Sequence, residues 1–69
     1  MIQRTYDKYT EVGKLTQDII NAGLPVHPDP GARFYGCVCH TWIPETIVEL
    51  YDDITADEIT IVDNCVAAQ

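Results

Sequence analysis

The sequence predicts a small α+β domain in which two helices pack on an antiparallel β-hairpin sheet, in the order helix, strand, strand, helix. Two amphipathic stretches and the segment between them predict it. Residues 55 to 68 combine a helix-start signal with an apolar stripe, and residues 8 to 22 carry a second stripe at helical spacing. Between them, residues 34 to 52 are aromatic and β-branched, with a turn at Ile43-Pro44-Glu45. A chain of 69 residues holds one domain, and a core of that size is marginal unless well packed, metal-bound or shared with a partner. Its 46% hydrophobic content is that of a folded chain.

From Lys8 to Ala22, Val12, Leu15, Ile19 and Ile20 share a face, while Glu11, Lys14, Gln17, Asp18 and Asn21 fall largely off it. Asp7 is the predicted N-cap, and Gly23 stands where a left-handed residue ends a helix. Gly13 weakens the helix by about 1 kcal/mol relative to alanine, which marks either a close backbone approach or a tolerated cost. Three prolines make residues 24 to 31 a stiff, extended connector with an Asp-Pro-Gly turn.

Phe34 to Trp42 reads as a strand. Period two places Phe34, Val38, His40 and Trp42 on one face and Tyr35, Cys37, Cys39 and Thr41 on the other. Residues 46 to 52 are ambiguous, since Ile47, Leu50, Tyr51 and Ile54 also match a helix. The short run, its β-branched start and the stop at Asp52-Asp53 favour a strand antiparallel to the preceding one. Ile2 to Tyr6 is a candidate extra strand. In the last segment, Thr55 and Glu58 form a capping box, followed by Ile59, Val62, Cys65 and Val66 on one face.

The net charge of −7 is uneven. Cations and carboxylates balance over residues 1 to 33, whereas residues 34 to 69 hold Glu45, Glu49, Asp52, Asp53, Asp57, Glu58 and Asp63 with no Lys or Arg. That field repels phosphate backbones and acidic membranes and attracts basic partners, so the expectation is no direct nucleic-acid binding and no membrane association. No apolar run approaches the ~20 residues that span a bilayer, and the first residues lack a signal-peptide core, which predicts an intracellular protein.

Cys37, Cys39 and Cys65 are an odd number, which suits a reducing compartment. Together with His27 they are the alternative metal set, a small zinc-stabilised domain. Two thiols one residue apart share a strand face, and His40 points the other way. Packing as small hydrophobes is the favoured reading of the cysteines, with no cofactor. The acidic surroundings disfavour a reactive thiolate, so no catalytic residue is assigned and no enzyme is expected. Asp57 and Glu58 suit the first turn of a helix, and Asp52 and Asp53 suit a loop. The residues assigned to partner contact are Tyr35, Trp42 and Tyr51, as amphipathic aromatics, with Glu49, Asp52 and Asp53.

Residues 15 to 24 (LTQDIINAGL), the Pro/Gly connector, the two-strand segment and the run from Ile54 to Ala68 resemble small uncharacterised proteins encoded by bacteriophages. Such chains pair a helix ending in an Ala-Gly-Leu stop with strands and a terminal helix that closes on Val-Ala-Ala. This chain departs from them in its Cys-Val-Cys run and in Gln69, where a final His is frequent. The resemblance implies a virion component or accessory protein acting by contact, located in the virion or the host cytoplasm. It carries over no catalytic residue. The expected function is a non-enzymatic interaction or structural module with a protein partner or a homo-oligomer. The alternative is an acidic inhibitor that imitates nucleic acid to block a host defence protein.

Overall fold

The computed structural model describes residues 1 to 69 and contains five elements. They are β1 (Ile2–Tyr6), α1 (Val12–Asn21), β2 (Phe34–His40), β3 (Glu45–Leu50) and α2 (Ala56–Ala67). The three strands form one antiparallel sheet in the order β1-β3-β2. The candidate strand at Ile2 to Tyr6 is therefore present, and β3 lies at the centre of the sheet. Residues 45 to 50 are a strand, so the β-branched start outweighs the helical spacing of Ile47, Leu50 and Ile54.

Register fixes the two faces. Leu50, Val48 and Thr46 of β3 stand opposite Ile2, Arg4 and Tyr6 of β1, and opposite Phe34, Cys37 and Cys39 of β2. Both helices lie on this face. Leu15 and Ile19 of α1 and Val62 and Val66 of α2 form one core cluster with Phe34, Val48, Leu50, Leu24 and Ile54. Each fully buried aliphatic or aromatic side chain contributes about 1.5–3 kcal/mol of transfer free energy. Ile20, placed on the apolar stripe by its spacing, sits at the stripe's margin and is exposed.

Two boundaries differ from the sequence expectation. The first helix starts at Val12 rather than near Lys8, and its N-cap is Glu11 rather than Asp7. Glu11 Oε1 and Oε2 accept the amides of Gly13 and Lys14 at 3.2 and 2.7 Å. The preceding turn is held in the tertiary structure instead: Thr46 Oγ1 donates to the Lys8 carbonyl at 2.7 Å, and Thr10 is buried against it. A Cβ at Gly13 would meet only the Glu11 carboxylate, at 3.4 Å, so no second backbone approaches there. Gly23 has φ 92° and ends the helix in the expected left-handed conformation.

The second difference lies in β2, which ends at His40 and leaves Thr41 and Trp42 in the turn. Its register shifts between Phe34 and Gly36, where a bulge adds one residue. Strict alternation would set Phe34 against the cysteines. The bulge reverses the phase, so Phe34, Cys37 and Cys39 all face the core while Val38 and His40 face away. In the connector, His27-Pro28 is cis and Val26 bridges Phe34 in parallel.

The α2 cap is the reciprocal box its sequence announces. Glu58 N–H donates to Thr55 Oγ1 at 3.2 Å, and Thr55 N–H donates to Glu58 Oε1 at 2.9 Å. That bond to the Thr55 amide, reinforced by the hydroxyl and Arg33, holds the Glu58 carboxyl below its ordinary range.

Candidate interaction surface

With both helices on one face, the other face of the sheet is uncovered. The register places Gln3 and Thr5 of β1, Glu45, Ile47 and Glu49 of β3, and Gly36, Val38 and His40 of β2 there. Among the large apolar side chains left exposed, Tyr35, Val38, Trp42 and Ile43 lie on β2 or the turn after it. These four mark the β2 flank, while Met1, Ile2, Tyr9 and Ile20 are exposed elsewhere.

Aromatic groups stand at both ends of that flank. At one end His27 Nδ1 and Tyr51 Oη share a hydrogen bond of 2.8 Å, and Tyr35 packs between them with ring centroids 4.7 Å from His27 and 6.0 Å from Tyr51. At the other, Trp42, 77% exposed, stacks on His40 at 5.3 Å, and His40 reaches Glu45 at 3.2 Å. Of the aromatics singled out in the sequence, Tyr35 and Tyr51 therefore meet beside the start of β2, while Trp42 lies beyond its opposite end. The sequence reading missed Val38, Ile43, His27 as a ring partner, and Gly36. A glycine inside an otherwise β-branched strand was the available signal for the bulge.

The assigned carboxylates divide. Glu49 lies on the uncovered face and makes no ion pair or side-chain hydrogen bond. Its neighbour across β2 is Gly36, where a Cβ would meet nothing within 4 Å, so the carboxylate is open toward the β2 edge. Asp52 instead pairs with the Met1 amino group at 2.8 Å, and Asp53 with Arg33 at 3.0 Å. Arg33 also reaches Glu58 at 3.3 Å, and Arg4 pairs with Asp63 at 3.1 Å. Apart from Glu45, whose partner is His40, the paired carboxylates of the acidic half thus take their counter-charges from the first half, and of its seven carboxylates only Glu49 and Asp57 lack an ionisable partner.

Along the outer edge of β2 run two hollows, of about 400 and 380 Å³. The first lies between α1 and the start of β2, beside Gly13, Thr16, Tyr35 and Gly36; the second lies beside Tyr9, Thr10, Glu11 and Thr41. Val12 and Cys37, in contact with each other, border both hollows.

The cysteines are free and dispersed. Cys37 Sγ lies 3.9 Å from the Val12 carbonyl and from Thr16 Oγ1, and Cys39 Sγ lies 3.7 Å from Thr46 Oγ1. Cys65 faces Asp18, Ala22 and Ala68 where the ends of the two helices meet. No group of three His, Cys, Asp or Glu side chains converges as metal ligands, so the alternative set Cys37, Cys39, Cys65 and His27 is not assembled. Burial pushes the Cys37 thiol up, with Cys39 and Glu11 adding to it, and burial followed by Asp18 pushes Cys65 up. Neither is set up as a thiolate nucleophile.

No helix is long and apolar enough to cross a membrane. No protein family, curated protein or solved structure matches the chain.

Proposed function

We propose that this protein is a non-enzymatic interaction module that docks another protein on the uncovered sheet face and the β2 edge. The observation that carries this reading is that four of the eight exposed large apolar side chains, Tyr35, Val38, Trp42 and Ile43, fall on β2 and the turn after it, beside the sheet face that no helix covers. A small domain gains nothing in its own stability from such a cluster, and clusters of this kind mark contact sites. The occupant is a different protein rather than a second copy, because residues 34 to 69 offer no lysine or arginine to match Glu49 across such a contact. The resemblance to small bacteriophage proteins supports a role as a virion component or accessory protein.

The inhibitor reading, in which carboxylates imitate a phosphate array, draws support from the acidic second half. The pairing of Asp52, Asp53, Glu58 and Asp63 weighs against it, since these charges are already spent within the fold.

Position-specific photo-crosslinking separates these outcomes. A photoreactive residue replacing Val38 is expected to give one discrete adduct in cells carrying the gene, lost when Trp42→Ala is added, while the same group at Thr60 on α2 gives none. Adducts from Thr60 alone, or chain-to-chain adducts from position 38, would overturn the proposal.

A further inference from the structure

We infer that the occupant of the β2 edge is an extended segment of the partner, carrying alternate aliphatic and basic side chains, that joins the sheet as a fourth strand. This rests on the docking reading above and specifies its chemistry.

Three features of the edge support it. From Gly36 to His40 β2 contains no Lys, Arg, Asp, Glu or Pro to keep an edge strand from pairing; its first residue, Phe34, is already bridged by Val26 of the connector, so an added strand pairs beyond the bulge. The opposite edge, β1, differs: Arg4 is tied to Asp63, and the Met1 amino group to Asp52. Beside β2 the two hollows are lined by apolar and small groups such as Val12, Gly13 and Cys37, interspersed with polar ones such as Thr16 and Gln17. An added strand alternates its side chains, so one set faces these hollows and the other passes over the uncovered face.

Charge decides what the second set carries. Side chains crossing the uncovered face at Gly36 meet no side chain before Glu49, whose carboxylate has no partner. Glu45, paired only with His40, lies farther along the same face, whereas Glu11 beside the second hollow is engaged in capping α1. A basic side chain at alternate positions of the incoming strand supplies the missing partner, whereas an acidic strand meets repulsion.

The test is an amide-resolved NMR titration of the intact protein with two synthetic nine-residue peptides, one alternating Val with Lys and one alternating Val with Glu. The Val-Lys peptide is expected to shift the amides of Gly36 to Cys39 and to bind at least about fivefold more tightly than the Val-Glu peptide at low salt. Raising salt from about 50 to about 500 mM should weaken it at least about threefold. Glu49→Gln should weaken the Val-Lys peptide alone, and this surface change leaves the core intact. Equal binding of both peptides at β2 overturns the charge assignment and leaves the docking surface standing. Shifts confined to β1 or α2 overturn both. No shift with either peptide overturns strand addition, as does a free protein whose β2 edges are already paired with each other.

Discussion

Replacing Asp63 by Ala removes the clamp that fastens β1 to α2, and the structure gives the size of the loss. Tyr6 Oη donates to Asp63 Oδ1, and Arg4 Nε and Nη2 donate to its two oxygens at 3.2 Å each. The Arg4–Asp63 pair is 40% and 38% exposed, so its net worth is about 0.5 kcal/mol. The phenol bond is to a charged acceptor beside a partly buried ring, worth about 1.5 kcal/mol. Alanine is the better helix former in the middle of α2 and returns about 0.6 kcal/mol. The net destabilisation is about 1–1.5 kcal/mol, a fall in Tm of roughly 5–10 °C for a domain of this size. Urea unfolding of the wild type, Asp63→Ala, Tyr6→Phe and the double variant should give a coupling energy near 1 kcal/mol.

The same clamp has a pH signature. Burial, then the bond to Asp63, pushes the Tyr6 phenol up to about 12. The unfolded chain loses that proton near pH 10 while the fold keeps it. The stabilisation is therefore complete below pH 10 and disappears as pH rises from about 10 to 12, with an upper bound of about 2.7 kcal/mol before solvent screening reduces it. A coupling energy below about 0.3 kcal/mol, or an alkaline profile that Tyr6→Phe leaves unchanged, would refute this account.

Two further outcomes follow from buried polar groups. Thr46 has one hydroxyl proton and gives it to the Lys8 carbonyl, so Thr10 must donate to Thr46 at 2.9 Å; Thr46→Val orphans both and should cost about 1–3 kcal/mol in urea unfolding, against no more than about 0.5 if water replaces the bonds. With their pKa raised, Cys37 and Cys65 should react with a disulfide reagent at pH 8 more slowly than an unstructured thiol and become equivalent to it in denaturant. A fast native phase at Cys37 would contradict the packing described.

The elements that declared themselves in the sequence did so through local chemistry. The Thr55–Glu58 box needs only residues three apart, and the bonds form as written. Gly23 likewise ends its helix for a reason internal to its own backbone. What was not legible depended on distant partners. Asp7 is a better capping residue than Glu11 by preference, yet the pull of Thr46 on Lys8 and Thr10 holds the turn out of the helix. The bulge at Tyr35–Gly36 is a property of pairing with β3, and it puts both thiols of β2 on the same face as Phe34. For the candidate surface, Tyr35, Trp42 and Tyr51 were legible as aromatics. That Asp52 and Asp53 answer to the Met1 amino group and Arg33 required the fold.

The position of β3 between β1 and β2 bears on how the chain assembles. Strands β2 and β3 meet across a short turn, whereas Ile2 finds its place beside Leu50 only after α1, the connector and β2 have been made. Ring-closure entropy makes the first union inexpensive and the second costly. On the ribosome the amino-terminal segment therefore waits, unpaired, for a berth that emerges late, and anything that lengthens that wait leaves one side of β3 bare to strangers.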